Sequence, residues 1–294
     1  MRIGILPAVG NGLLHLQTSG QLSRFVRHIQ GYDADSQILF FSYVPHDRER
    51  TIAHGGELRW GFESVEPTAD EMPPDRAALR YALRLPFIRA VKMRECDVLR
   101  CTSLLGAIPA IVARIAYGIP FIVSHGADYE TIASIHGRSR LHRAKWRWLR
   151  RAAFRLADAV IVQNALMAKR LQVAHPYARI VHLPNWVGQE FFVVRRRPVP
   201  GVVVTVGRLV KEKNLWSLAL ACRHAGLRLR AIGDGPERDT LRDMGVDCPG
   251  SLPWESLPRE LARASIFATV SHTEGHCKAL AEAMAAGLPC VVSQ

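Results

Sequence analysis

Residues 271–289, SHTEGHCKALAEAMAAGLP, decide how the chain folds. They follow 265–270, a short run in which Ile266, Phe267 and Val270 suit a buried strand. Gly275 allows a sharp turn, and 278–286 is rich in Ala, Leu, Glu and Met, all strong helix formers. Gly287 stands where a helix C′ residue belongs, and Pro289 blocks continuation. The stretch therefore reads strand, loop, helix, turn. Of its two carboxylates, Glu274 falls in the loop after the strand and Glu282 inside the helix. In an open parallel sheet that edge is where ligands bind, and a helix N-terminus there attracts phosphate.

Upstream the same strand-turn-helix grammar repeats. Val202–Val206 reads as a strand and runs straight into Gly207-Arg208-Leu209-Val210-Lys211-Glu212-Lys213-Asn214. Arg228–Ile232 is the next strand, closed by Gly233-Asp234-Gly235-Pro236, and 246–250 is a short one before the loop 251–258. In the first half, strands are expected at Arg2–Leu6, 37–43, 97–101, 120–124, 159–163 and 180–183, with helices at 22–29, 106–117 and 165–171 between them. Strands alternating with helices imply a parallel, doubly wound sheet. VRRRPVPG, 194–201, carries Pro and charge without periodicity and reads as an interdomain linker. Asp33-Ala34-Asp35 spells D-x-D but precedes a strand, and reads as a turn.

The chain of 294 residues is long enough for two domains, and 48% hydrophobic against 22% charged residues marks it as folded. Its net charge of +13 favours anionic partners: nucleic acid, anionic lipid or phosphorylated substrates. Six cysteines, none in a CxxC pair or at metal-ligand spacing, read as small buried residues of a reducing cytoplasm. The N-terminus is too short an apolar run for a secretory signal, and 106–124 carries Arg114, Pro109 and Pro120. Helix 75–93 sets Arg76, Arg80 and Arg84 at i,i+4 spacing beside Leu79, Leu83 and Phe87. The segment 138–155 is intensely basic and includes Trp146 and Trp148. Both suit solvated faces, and both suit an anionic membrane surface. Nucleic acid would select the same charge, but no RNA or DNA module is visible, so none is expected as a partner.

Glu274, Gly275, Glu282, Ala283, Met284, Ala285, Ala286, Gly287 and Pro289 resemble the donor-sugar motif of retaining glycosyltransferases of family 4, which have the GT-B fold. Cys277 stands where that family often has Gly or Pro. The 207–214 segment is similar to the family's GRL-x3-KG/KN, and Leu183-Pro184-Asn185-Trp186-Val187 to its IPNGV, with Gly188 replacing the usual Asp. His125-Gly126-Ala127-Asp128 is similar to its HGxD, and Gly10-Asn11-Gly12 lies where it has a Gly-rich loop.

The resemblance implies an α/β, GT-B protein of two Rossmann-like, doubly wound parallel-sheet domains facing a cleft. The N-terminal acceptor-side domain would be 1–195 and the nucleotide-sugar domain 196–294. It implies that Glu274 touches a hydroxyl of the transferred sugar and that Arg208 and Lys213 clamp the diphosphate. Glu282 would grip the ribose hydroxyls, and His125 would stand where donor sugar meets acceptor. Gly207, Gly12, Gly275, Cys277, Lys278 and Ala279 complete the implied donor site. The implied reaction moves a hexose from a UDP- or GDP-linked sugar to a glycan or lipid-linked acceptor with retention. It needs no metal and no cofactor beyond the donor. An inactive GT-B homologue and a nucleotide-sugar 2-epimerase are the alternatives on the same fold. The implied setting is cytoplasmic, peripheral on the inner face of the cytoplasmic membrane. The apolar run 288–293 should be a buried strand, and further βα units follow it in the family, so the second domain is expected to be incomplete.

Overall fold

The computed structural model describes residues 1–32, 35–54, 62–68, 71 and 77–293. Asp33 of the D-x-D turn and Arg76 of the basic helix lie outside the described residues. Contacts divide the chain into two units, Met1–Gly126 with Arg140–Pro184, and Ala127–Ser139 with Asn185–Gln294.

The first unit is built on β1 (Arg2–Leu6), β2 (Gln37–Phe41), β3 (Phe62–Val65), β4 (Val98–Cys101), β5 (Phe121–Ser124), β6 (Ala159–Val162) and β7 (Ile180–His182). They pair in parallel in the order β3-β2-β1-β4-β5-β6-β7. The strands are short and the central ones mostly apolar, as a parallel sheet covered by helices on both sides requires. On one face Ile3, Ile5, Ile38 and Phe40 pack with Leu13, Leu22, Val26 and Ile29 of the two helices that follow β1. The strand β3, FESV, has too little alternation to announce itself. It forms by pairing with β2 from Ile38–Phe62 to Phe41–Val65. The single helix expected over 75–93 is two, Ala77–Ile88 and Ala90–Arg94, parted at Arg89. There the guanidinium turns onto Glu71 at 2.6 Å and the Glu66 carbonyl at 2.8 Å.

The second unit carries β8 (Val202–Val206), β9 (Arg228–Ile232), β10 (Asp247–Gly250), β11 (Ile266–Thr269) and β12 (Cys290–Val292). Its order is β10-β9-β8-β11-β12, again wholly parallel. Both sheets thus run outward from their first strand in the same sense, the doubly wound arrangement expected. The valine run of β8 feeds two cores. Val203 packs with Leu215, Leu218 and Leu229 on one face, and Val204 with Phe191, Trp254, Leu261 and Phe267 on the other. β12 pairs with β11 as expected, but Val291 and Val292 remain 55% and 50% exposed.

The segment 194–201 is bound along the second unit. Arg196 donates to the carbonyls of Gly287 and Ala264, both at 3.0 Å, while the Arg197 and Val199 amides donate to Ala262 and Arg263. The chain instead enters this unit for good at Asn185, because Phe191 is fully buried against Trp254, ring centroids 5.7 Å apart. The drawn boundary at 195/196 therefore falls inside the second unit. The reading of 1–195 as one continuous block also misses Ala127–Ser139, which packs with the second unit.

Candidate functional site

In a doubly wound sheet a crevice opens where strand order reverses, beyond the carboxyl ends of the two central strands. In the second unit those strands are β8 and β11, paired from Ile266–Val203 to Phe267–Val204. The loops 207–214 and 270–277 leave these two strands side by side, so the two halves of the sequence reading meet here.

The turn after β8 is shaped by its neighbour. A Cβ on Gly233 would lie 1.8 Å from the Gly207 carbonyl oxygen, and Gly233 has φ +144°, so only glycine fits. Gly207 itself has φ +152°. The Gly207 amide donates to Ile232 and the Leu209 amide to Asp234, both at 2.9 Å. The two post-strand turns are thereby stitched together, and Arg208 projects from between the stitches with its side chain 68% exposed.

Glu212 lies in a single 3-10 turn, Lys211–Lys213, and is only 3% exposed. Its Oε1 accepts from Arg208 Nη2 at 3.2 Å, and its Oε2 faces His136 Nε2 at 2.9 Å. A carboxylate only accepts, so that Nε2 carries the proton. Burial by itself would push the Glu212 carboxyl up. A backbone N–H, the His136 hydrogen bond and the Arg208 charge outweigh it and hold the group below the usual carboxylate range.

Lys213 pairs with Glu274, whose Oε1 also accepts from Ser271 Oγ at 3.3 Å. Gly275 is buried behind it. Cys277 takes the N-cap position of the helix Lys278–Ala285. Burial first, then the Glu274 charge, pushes its thiol up, so it remains a protonated small side chain. Lys278 sets its ammonium 4.8 Å from the Trp186 ring centroid, a cation–π contact, and Ala279 packs on the core beneath. Glu282 is 3% exposed, and its Oε1 accepts from Trp254 Nε1 at 3.1 Å. Asn185 Nδ2 donates to His276 Nδ1 at 3.3 Å, tying the start of the unit to the motif loop.

The other two expected site residues belong to the first unit. Gly12 precedes the helix Leu13–Thr18. The fully buried Asp47 accepts from the Leu13 amide at 2.6 Å, the Leu14 amide at 2.9 Å and Ser42 Oγ at 2.7 Å. The first two amides of that helix are therefore capped from within the protein. Gly12 is needed there because a Cβ would stand 2.5 Å from Asp47 Oδ2. His125 closes β5, 2% exposed, with its ring edge-on to Phe154 at 5.3 Å. Asp128 of the same motif caps the helix Tyr129–Ile135, accepting from Glu130 N at 3.1 Å and Thr131 N at 3.4 Å.

The structure thus gathers Arg208, Lys213, Glu274, Gly207, Gly275, Cys277, Lys278, Ala279 and Glu282 in one unit. It adds three residues that sequence reasoning passed over. Glu212 was hidden inside K-E-K, where a solvated charge is the natural reading. His136 is distant in sequence, and Trp254 lay in a loop whose partner could not be read. The one signal available was the carboxylate between two lysines directly after a phosphate-type turn. Among the described residues no helix is long and apolar enough to cross a membrane.

Comparison with known proteins gives the same reading of the halves. The profile described as Glycosyltransferase Family 4 matches residues 42–191, and that described as Glycosyl transferases group 1 matches 189–294. The chain is 30% identical to a GDP-mannose-dependent alpha-mannosyltransferase of Mycobacterium tuberculosis, over 70% of this chain and 57% of that protein. It is 26% identical to a Corynebacterium glutamicum protein of the same name, over 91% of this chain and 66% of that one. It therefore spans less than two thirds of the length of either. Among solved structures, Anabaena HepE in complex with UDP and glucose superposes with a TM-score of 0.67 at 15% identity, covering 99% of this chain and 80% of that one. That is a likeness of fold.

Proposed function

This chain belongs to glycosyltransferase family 4, and from that we propose that it moves a hexose from a nucleotide-diphosphate sugar to a glycan or lipid-linked acceptor, with retention of configuration. GDP-mannose is the first donor to test, since the two curated relatives carry it in their names. The observation that carries the reading is the Lys213–Glu274 pair, joining the loops that follow β8 and β11, with Arg208 on the same turn as Lys213.

As the bond between the sugar C1 and the phosphate oxygen breaks, negative charge grows on the β-phosphate. Arg208, Lys213 and the helix N-terminus at Lys278 take that charge, each preorganised donor contributing about 2.7–4 kcal/mol. Glu274 exchanges its Lys213 partner for hydroxyls of the transferred sugar. Glu282, held through Trp254, accepts from the ribose hydroxyls. The new bond from C1 to the acceptor oxygen forms on the face the phosphate leaves, and the acceptor proton goes to the departing phosphate. The cations do the work that a metal ion performs in other transferases. His125 keeps in this reading the place that the resemblance gave it, beside the transferred sugar.

A lipid-linked acceptor would bring the protein to a membrane surface. Leu79, Leu83 and Phe87 stand 53%, 47% and 57% exposed at i,i+4 spacing, flanked by exposed Arg80 and Arg84. On the helix Arg140–Leu156, Leu141 and Trp148 are exposed among Arg140, Lys145, Arg147, Arg151 and Arg155. Apolar side chains set among cations suit an anionic lipid surface.

The test incubates the protein with GDP-mannose, GDP-glucose, UDP-glucose and UDP-galactose, with and without bacterial membrane lipid. Acceptor-dependent nucleotide release and an α-linked product by NMR are expected. No release from any donor with acceptor present overturns the reading, and a β-linked product overturns retention.

A further inference from the structure

We propose that Glu212 and His136 are positioning residues that hold the Arg208 guanidinium ready for an incoming diphosphate, an inference that rests on the donor-site reading above.

Glu212 is the least expected buried carboxylate of the second unit. It sits between Lys211 and Lys213 in a turn at the rim of the site, where solvation would be cheap, yet it points inward and is 3% exposed. Burying a carboxylate costs stability unless its oxygens are bonded. Both are: Oε1 by Arg208 at 3.2 Å and Oε2 by His136 at 2.9 Å. Its carbonyl accepts the His272 amide at 2.8 Å, which fastens the loop carrying Glu274. One residue thus ties together the Arg208 turn, the motif loop and the helix Tyr129–Ile135 with His136 at its C-cap.

The charged groups around it have distinct employments. Lys213 is paired with Glu274, and Lys211 lies on the exposed side of the turn. Arg208 alone is held by Glu212 at one edge while the rest of its planar fork stays in solvent. A guanidinium has five donors, so an edge gripped by a buried carboxylate leaves the others aimed outward for phosphate oxygens. Restraining the side chain before binding removes part of the ordering cost that a free arginine meets on binding. His136 in turn keeps Glu212 from rotating away, since its Nε2–H occupies the second oxygen.

The test is a mutant cycle read in two ways on the full chain. Calorimetry with GDP and with UDP is run on wild type, Glu212→Gln, His136→Asn, Arg208→Ala and the double variant Glu212→Gln/Arg208→Ala. Thermal melts first confirm folding. Glu212→Gln is expected to weaken nucleotide binding about tenfold, and His136→Asn by a smaller factor. The double variant should be no weaker than Arg208→Ala alone, because Glu212 acts through Arg208. Additive losses would overturn the proposal. The second readout is 15Nε relaxation of Arg208 in the ligand-free protein. Its side chain should become more mobile in Glu212→Gln, and unchanged order there overturns the proposal whatever nucleotide does. If Arg208→Ala binds GDP and UDP as wild type does, the diphosphate reading fails, while the relaxation data still decide whether Glu212 positions the arginine.

Discussion

At the scale of single residues, the site is neutralised by its own side chains before any ligand arrives: Lys213 by Glu274, Arg208 by Glu212. The two pairs differ in what a ligand can do to them. Glu274 is 30% exposed and can swing from Lys213 to a sugar, whereas Glu212 is buried and cannot leave. Lys213→Ala should lower turnover by roughly 10²–10³-fold, the loss typical of one electrostatic donor. Glu274→Gln should lower turnover as well, yet bind free GDP more tightly than wild type, because Lys213 no longer has a competing anion. Calorimetry decides this: a Glu274→Gln variant that loses GDP as badly as Lys213→Ala rules out the competition. Glu212 also gives a pH signature. Its folded carboxyl titrates below its ordinary value, so the fold favours the ionised form. That contribution is present above the ordinary carboxylate range and disappears as pH falls through the folded value. The stability gap between wild type and Glu212→Gln should therefore narrow below about pH 4. Melting curves from neutral pH downward measure it, and a gap that widens toward acid contradicts the assignment.

Among the elements, helix starts show how a sequence pattern can be satisfied in an unforeseen way. The helix Leu13–Thr18 begins after Gly12 without a side-chain cap of its own, and Asp47 meets its first amide from 34 residues away. Glu66 does the same for the helix Asp47–Ala53, accepting the Asp47 and Arg48 amides at 2.9 Å each. Gly12→Ala pushes a methyl into the Asp47 carboxylate and should cost about 1–3 kcal/mol, from overpacking and a disturbed buried hydrogen-bond set. Denaturant midpoints test it, and a variant within about 0.5 kcal/mol of wild type would mean that Asp47 shifts freely. The helices Ala77–Ile88 and Arg140–Leu156 make the second prediction at this scale. Vesicles containing anionic lipid should bind the protein with an affinity that falls as salt rises, each cation near the surface contributing about 1 kcal/mol. Replacing Arg80, Arg84, Lys145 and Arg147 with Gln should reduce that binding. Equal binding to neutral vesicles, indifferent to salt, would remove the electrostatic contribution.

For the whole molecule, two sheets with the same winding give two centres of stability. β1 is flanked by β2 and β4, and β8 by β9 and β11. Hydrogen exchange should therefore be slowest in β1 and β8 and faster in β7 and β12, which pair with a single strand each among the described residues, with Val291 55% exposed. Equal protection of β12 and β8 would show that edge position does not set local stability here. The sequence alone determined the winding, because a parallel strand buried on both faces must be a short apolar run. Such a run, VVVTV at Val202–Val206, is legible because a glycine turn and a helix follow it. The sequence also made Arg208, Lys213, Glu274 and Glu282 candidates, because each lies in a short strand-turn-helix motif that resembles the family's and is local enough to be read along the chain. What only the tertiary structure decided is what each of them touches. That Asp47 accepts the Leu13 and Leu14 amides beside Gly12, that Trp254 holds Glu282, and that His136 holds Glu212 are all pairings across 28 to 76 positions of chain. Hydrogen bonds of that kind leave no periodicity to read. They follow from which loops the sheet order brings to the same edge, and a one-dimensional pattern carries no distance between loops.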